Sequence, residues 1–242
     1  MALTSHPSPH TRKLAFRSCN ESFQRIAPLC ATTLTHIIGT RQMRNDRVGS
    51  GELARCLHDN RANREVVEAL WQGTANTRPV LVKYLHLKAR LLGQDGLSWW
   101  DLSAPLGADE ALLTFEDAQH LILESFSTQP ALQASARRLF VEGAIDAEVR
   151  PGKRSGSFCA PFGLKRTSRI LTTFTGTLQS TAMLAHELGH GWHADVLYTV
   201  PMVRRLITPA FAETASMYAQ NLFNTHAPVS YTHLTLPTKC WV

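Results

Sequence analysis

The 242-residue sequence has no long apolar run and no cysteine pattern. No stretch approaches the 18 or so apolar residues that a membrane-spanning helix needs, and the first 20 residues are too polar for the apolar core of a secretory signal. The five cysteines are odd in number and form no Cys-x-x-Cys pair, which favours reduced thiols over a disulfide framework. We therefore expect a cytoplasmic protein that does not contact a membrane.

The sequence also lacks the features of a nucleic-acid-binding protein, although its net charge is +6. Residues 1–90 contain 14 Lys and Arg against 6 Asp and Glu. These basic residues are scattered among helical repeats of Leu, Ile and Val, without an aromatic stacking set or a DNA- or RNA-binding motif. We interpret them as a solvated helix surface and predict no nucleic-acid partner.

The segment His186-Glu-Leu-Gly-His190 indicates a metal site. Residues i and i+4 lie on one face of a helix, so His186 and His190 can bind the same Zn²⁺ ion at about 2 Å each. Zinc lowers the pKa of a bound water towards neutrality, and Glu187 can take the proton of that water as a general base. Ser180 or Thr181 is predicted to cap the start of this helix.

Glu213 is the best candidate for a third metal ligand. It lies 23 residues after His190, in a segment that reads as a helix with Pro209 in its first turn. A catalytic zinc site takes three protein ligands and leaves one position open. The alternative without a metal site is a pair of helix-face histidines bonded to water, with Glu213 an ordinary surface carboxylate.

Four segments, in the same order along the chain, resemble the oligoendopeptidase F branch of the thimet-oligopeptidase family of zinc peptidases. They are the aromatic-Asp-Leu stretch 97–106, the Gly-Lys-Arg stretch 146–159, the His-Glu-Leu-Gly-His-Gly-Trp-His segment 186–193, and Phe-Ala-Glu-Thr-Ala-Ser at 211–216. The resemblance implies a mostly helical, bowl-like enzyme that cuts short peptides in a deep channel. It also implies that further substrate-binding His and Tyr residues follow the ligand Glu in longer members.

His193 and Gln220 are two further positions near this predicted site. His193 falls seven residues after His186 and lies on roughly the same helix face. We predict that it orients substrate or donates a hydrogen bond to the oxyanion, because a fourth ligand would close the metal site. Gln220 is a departure from the resembled family, which often has an acidic residue there, and a neutral amide is expected to orient a ligand less strongly.

The fold class predicted is mainly α, a helical metallopeptidase catalytic domain with a small β-sheet before the zinc-binding helix. Residues 1–12 are predicted to be disordered, and apolar repeats predict helices within 13–92, with separate pieces at 64–71 and 80–92. Asp101 is interpreted as the cap of a turn.

Strands are predicted over 149–159 and 169–177, where Thr, Phe and Ser alternate with glycine breaks. An edge strand can hold an extended peptide by backbone hydrogen bonds, and Gly156, Ser157 and Phe158 are the substrate-binding candidates for that edge. Lys153 is expected to be exposed to solvent.

We divide the chain into a helical part of the peptidase domain (1–100), a zinc-binding catalytic core that is incomplete at its C-terminus (101–228), and a non-native tail (229–242). The tail matches one reading frame of a sequencing adapter and is expected to have no helical continuity with the preceding residues.

The function predicted is a zinc-dependent endopeptidase acting on short peptides, weak or inactive as this fragment. Two alternatives stay open: a zinc hydrolase acting on an acylated amine, and a helical interaction protein with a vestigial metal motif.

Overall fold

The computed structural model describes residues 2–106, 112–154 and 156–235. Helices predominate in these residues, and a small three-stranded sheet precedes the helix that carries His186, which confirms the predicted fold class. The chain forms two compact units, residues 1–108 and 109–242. None of the described helices combines the length and the apolarity needed to cross a membrane.

Three helices make up most of the first unit. They are α1 (Pro9–Arg47), α2 (Glu52–Asp59) and α3 (Arg64–Leu91). The prediction of a disordered start is wrong, since the side chain of Ser8 accepts a hydrogen bond from the Thr11 N–H and begins α1.

The predicted break inside α3 is also absent. The polar residues between 71 and 80 carry no apolar repeat, yet the helix continues through them and through Pro79. Apolar repeats alone underestimate such a helix, because helical backbone hydrogen bonds continue through polar residues.

Asp101 does not cap a turn but forms a buried ion pair. Its Oδ1 accepts hydrogen bonds from Arg12 Nε at 3.0 Å and Nη2 at 2.7 Å, and both side chains are 1% exposed. Arg12 also donates to the carbonyls of His6 and Pro7. Asp101 therefore holds the start of α1 in place, although it lies 89 residues after Arg12 in the sequence.

In the described residues of the second unit, four helices surround one apolar core. The helices are α4 (Phe115–Ser125), α5 (Pro130–Val141), α6 (Leu178–Leu197) and α7 (Pro209–Thr235). All four helices contribute buried side chains to the core, among them Ile122, Leu132, Leu139, Leu184, Leu188 and Phe223.

The predicted break of the helix at residue 229 is not seen, since the backbone of α7 stays helical to Thr235. Residues 236–242 of the predicted tail lie outside the described residues.

The sheet consists of β1 (Ile145–Asp146), β2 (Phe158–Phe162) and β3 (Thr167–Leu171). The order is β1-β3-β2, with β3 parallel to β1 and antiparallel to β2, so β2 is an edge strand within this sheet. The strands begin and end several residues away from the predicted spans, and the described residues 147–154, 156 and 157 form turns and loop rather than strand.

Lys153 contradicts the prediction of a solvent-exposed side chain. Its side chain is 4% exposed, and Nζ donates to the carboxylate of Asp146 and to the carbonyl oxygens of Asp146, Glu148 and Thr172. A buried ammonium needs such partners to offset its lost hydration. Lys153 thus ties the loop before β2 to the rest of the sheet.

Candidate active site

Helix α6 carries His186, Glu187, His190 and His193. It begins at Thr177, whose hydroxyl oxygen accepts a hydrogen bond from the Ser180 N–H, and not at the predicted caps Ser180 or Thr181. Near its other end, Arg138 of α5 donates to both carboxylate oxygens of Asp195 at 2.8 Å. Contacts thus hold α6 near both ends. They help to fix the direction in which His186, His190 and His193 face.

Gly189 brings α7 directly against α6. A Cβ built at Gly189 would lie 2.7 Å from the carbonyl oxygen of Ala215 and from Cα of Ser216, and 2.8 Å from Cβ of Ala219. Real side chains do not approach backbone so closely, so only glycine permits this spacing. This close packing brings Glu213 to the histidines.

Three potential metal ligands converge between these helices. Nε2 of His186 lies 3.2 Å from Glu213 Oε2, and Nε2 of His190 lies 3.4 Å from the same oxygen. One ligand atom from each residue lies within 4.8 Å of the others. Two imidazole nitrogens and one carboxylate oxygen are a donor set typical of a catalytic zinc site, and this spacing fits a single small cation.

Each of two ligands is held by a neighbouring side chain. Gln220 Oε1 lies 3.0 Å from His186 Nδ1, and because a carbonyl oxygen can only accept, Nδ1 is the donor and Nε2 is left free to ligate. The buried Ser216 hydroxyl donates to Glu213 Oε2 at 2.8 Å. The sequence analysis identified Gln220 but missed Ser216, which lies three residues after Glu213.

Glu187 is 4% exposed, and its pKa is shifted from the ordinary value of a glutamate. Burial, reinforced by the negative charge of Glu213, raises the pKa of Glu187 to about 7, while the backbone N–H of Cys159 acts in the opposite direction. Burial also lowers the pKa of His190, with the charge of Glu213 opposing this shift. The neutral imidazole that results is the form that ligates metals.

A cavity of about 720 Å³ opens over these residues. It is lined by His186, Glu187, His190 and Glu213 and also by three of the four predicted substrate-binding residues, His193, Ser157 and Phe158. The ring of His193 packs edge-on against Phe211, with centroids 5.8 Å apart.

Gly156, the fourth candidate, is not among the described residues that line this cavity. Its N–H donates to the hydroxyl of Thr173, at 3.3 Å. Its φ of +103° is a conformation that favours glycine. Gly156 therefore shapes the approach to β2 from outside the cavity wall.

Several cavity residues were missed by the sequence analysis, and one group of them lies between the two helices or at the end of α6. They are Tyr198, Met202, Arg205, Leu206 and Ile207. The connection between α6 and α7 has no motif of its own, and its position over the cavity depends on how the two helices pack.

Comparison with known proteins places these features in a family. The model of peptidase family M3 matches residues 2–236. Group B oligopeptidase PepB of Streptococcus agalactiae is 28% identical over 192 residues, which cover 76% of this chain and 31% of that protein. Oligopeptidase PepF of Bacillus subtilis is 28% identical over 190 residues, covering 76% of this chain and 28% of that protein. The chain therefore spans about a third of the length of these curated relatives.

A solved structure has the same fold. PZ peptidase A with an inhibitor superposes with a TM-score of 0.74 at 21% sequence identity, covering 96% of this chain and 44% of that one. The chain belongs to peptidase family M3.

Proposed function

We propose that the protein is a zinc-dependent oligoendopeptidase that hydrolyses short peptides. One observation carries the proposal: the side chains of His186, His190 and Glu213 offer three converging ligand atoms at one wall of a cavity that also holds the buried Glu187. The family match supports peptidase chemistry over the two alternatives, the acyl-amine hydrolase and the interaction protein.

His186, His190 and Glu213 would hold the metal, with Gln220 and Ser216 orienting two of these ligands. Bound zinc would polarise the scissile carbonyl and lower the pKa of a water molecule. No fourth His, Cys, Asp or Glu belongs to this cluster among the described residues, so a coordination position would be available for substrate or water.

Glu187 would act as the general base. Its carboxylate takes one proton from the attacking water as the new C–O bond forms at the scissile carbonyl. It then delivers that proton to the amide nitrogen as the C–N bond breaks, which releases an amine and a carboxylic acid. His193 lines the same cavity and would donate a hydrogen bond to the carbonyl oxygen as negative charge develops on it.

The edge strand β2 would hold the substrate backbone. It pairs with β3 on one side, and Ser157 and Phe158 at its start line the cavity beside Glu187. A peptide that adds to the other side of β2 gains main-chain hydrogen bonds without regard to its sequence. Gly156 would contribute indirectly, through the backbone turn that begins this edge.

Metal content tests the proposal most directly, because it depends on the described residues alone. We expect about one zinc per chain in the natural sequence by elemental analysis, loss of zinc in His186→Ala, and retention of zinc in Glu187→Gln. Any peptide cleavage shown by the unsubstituted chain should disappear in both variants. A folded chain without zinc, or a Glu187→Gln variant that still cleaves peptides, would contradict the proposal.

A further inference from the structure

Arg205 is the only Lys or Arg among the described residues that line the active-site cavity. It follows the 3-10 turn Met202–Arg204, in the connection between α6 and α7. The proposed metal ligands and Glu187 lie at one wall of the cavity. Arg205 is therefore a charged group in the same cavity that the proposed chemistry does not use.

The guanidinium of Arg205 is held in place by its own part of the chain. Nε donates to the carbonyl oxygen of Val200 at 3.0 Å, and Nη2 donates to that of Tyr198 at 3.3 Å. The guanidinium carbon also lies over the ring of Tyr198, 5.6 Å from its centroid. These contacts orient the group before any ligand binds, which reduces the entropy lost on binding.

The charge of Arg205 has no counterion in the described part of the chain. No described carboxylate lies within 4.0 Å of it, and no described acceptor is bonded to Nη1. A guanidinium has five N–H donors, of which carbonyl oxygens take two here. The remaining donors at Nη1 and Nη2 form the planar fork that binds a carboxylate through two parallel hydrogen bonds.

Arg205 lies near the C-terminal end of β2, the strand that is proposed to hold the substrate backbone. A methyl group built on Gly163, the residue after β2, would lie 3.9 Å from Arg205 Nη1. The backbone of Cys159, near the start of β2, interacts with the carboxylate of Glu187. Gly163 lies four positions after Cys159, and an extended chain covers about 13 Å over that length.

We propose that Arg205 binds a carboxylate of the peptide substrate, about four residues from the scissile bond. The assignment rests on the proposed peptidase function. Glu187 and Glu213 disfavour an acidic group close to the scissile bond, whereas Arg205 attracts one at the other end of the strand. Two sources supply this chemistry, the C-terminal carboxylate of a short peptide and the side chain of an internal Asp or Glu.

The test measures peptide binding by the zinc-loaded Glu187→Gln chain, which is not expected to cleave its ligand. Octapeptides compete with a fluorescent peptide for binding. In one set a single Glu replaces Gln at each position in turn, and in the other the C-terminus is either free or amidated. We expect Glu at a distal position, or the free C-terminus, to improve binding by about tenfold over its neutral counterpart.

Three variants in this background assign the effect to Arg205. Arg205→Gln should reduce the preference for a carboxylate to within about twofold, and Arg205→Lys should keep part of it, because it retains the charge without the fork. Arg204→Gln is the matched control: it removes the same charge one residue earlier, outside the cavity lining, and should keep the full preference. Thermal unfolding of each variant shows whether the connection stays folded.

The outcomes separate this inference from the proposed function. Failure to bind zinc contradicts the peptidase proposal itself. A zinc-loaded, folded chain that binds neutral and acidic peptides equally, or binds neither, overturns the role of Arg205. A carboxylate preference that persists in Arg205→Gln also overturns it.

Discussion

His186 Nδ1 donates a hydrogen bond to Gln220 Oε1 across 3.0 Å, from α6 to α7. This bond selects the tautomer in which Nε2, the atom nearest Glu213, carries the free lone pair. A neutral amide orients the ring but adds less basicity to it than a carboxylate would. Gln220 is therefore expected to influence metal affinity through His186, without ligating the metal itself.

Replacing Gln220 tests this relationship. We expect Gln220→Leu to weaken zinc binding by about 10- to 100-fold, because His186 loses the partner that fixes its tautomer. Gln220→Glu should bind zinc at least as tightly as the natural chain. Competition with a chromophoric chelator measures both affinities. Asn224→Leu, on an exposed position one turn further along α7, is the control and should leave the affinity unchanged.

The close approach of α6 and α7 predicts a large effect at Gly189. Gly189→Ala places a methyl group 2.7 Å from backbone atoms of Ala215 and Ser216, which forces the two helices apart. We expect the free energy of unfolding to fall by about 1–3 kcal/mol, and zinc affinity to fall with it, because Glu213 moves away from the histidines.

Gly73→Ala provides the control of opposite sign. Gly73 lies inside α3, and a Cβ there would meet nothing within 4 Å. Alanine should stabilise that helix by about 0.5–1 kcal/mol. Denaturant unfolding measures both changes, and equal effects at the two glycines would contradict the packing argument.

The buried pair of Arg12 and Asp101 predicts a strong destabilisation when one partner is removed. Asp101→Ala leaves the guanidinium of Arg12 buried at 1% exposure without its counterion. We expect a loss of about 3–5 kcal/mol in the free energy of unfolding. Asp59→Ala breaks the more exposed Arg55–Asp59 pair and should cost less than about 1 kcal/mol. Comparable losses of unfolding free energy in the two variants would contradict the argument that burial makes the Arg12–Asp101 pair more sensitive to loss of one partner.

The ion pairs of Asp146 predict a dependence of stability on pH. Hydrogen bonds from Arg150, and then from Lys153, hold the pKa of Asp146 well below its ordinary value. The ionised form is thus favoured in the folded state. Its contribution is fully present above the unfolded pKa, near 3.9, and is lost as the pH falls towards the folded pKa.

Asp146→Asn should therefore be less stable than the natural chain at neutral pH and should lose less stability between about pH 4 and pH 2. Denaturant unfolding at a series of pH values measures the difference. Parallel curves for the two proteins would show that Asp146 does not titrate with folding.

The sequence predicted the local chemistry of the site better than its surroundings. The i, i+4 spacing of His186 and His190 follows from helix geometry alone, and the capping box of Thr114 and Asp117 at the start of α4 has a local sequence signature. The prediction of Glu213 as a third ligand also required that a second helix pack against the first. In the structure, the absence of a side chain at Gly189 permits this packing.

The errors lie where long-range contacts decide the outcome. Lys153 and Asp101 are charged residues in loop-like sequence, and only their partners elsewhere in the chain explain their burial. Arg205 was missed for the same reason, since its place in the cavity comes from the path between two helices. Thr177, Ser180 and Thr181 each offer a hydroxyl for the cap of α6, so the sequence did not single out Thr177, three residues before the expected position.

Pro161 has a consequence for how molecules of this protein behave towards one another. It occupies the fourth position of β2, the edge strand, and proline has no N–H to offer. In sheets, proline is confined to edges where its missing donor faces away from the neighbouring strand. Any strand that adds to β2, whether a substrate peptide or the edge of a second sheet, lacks a ladder bond at Pro161, so this edge is a weaker template for aggregation than one without proline.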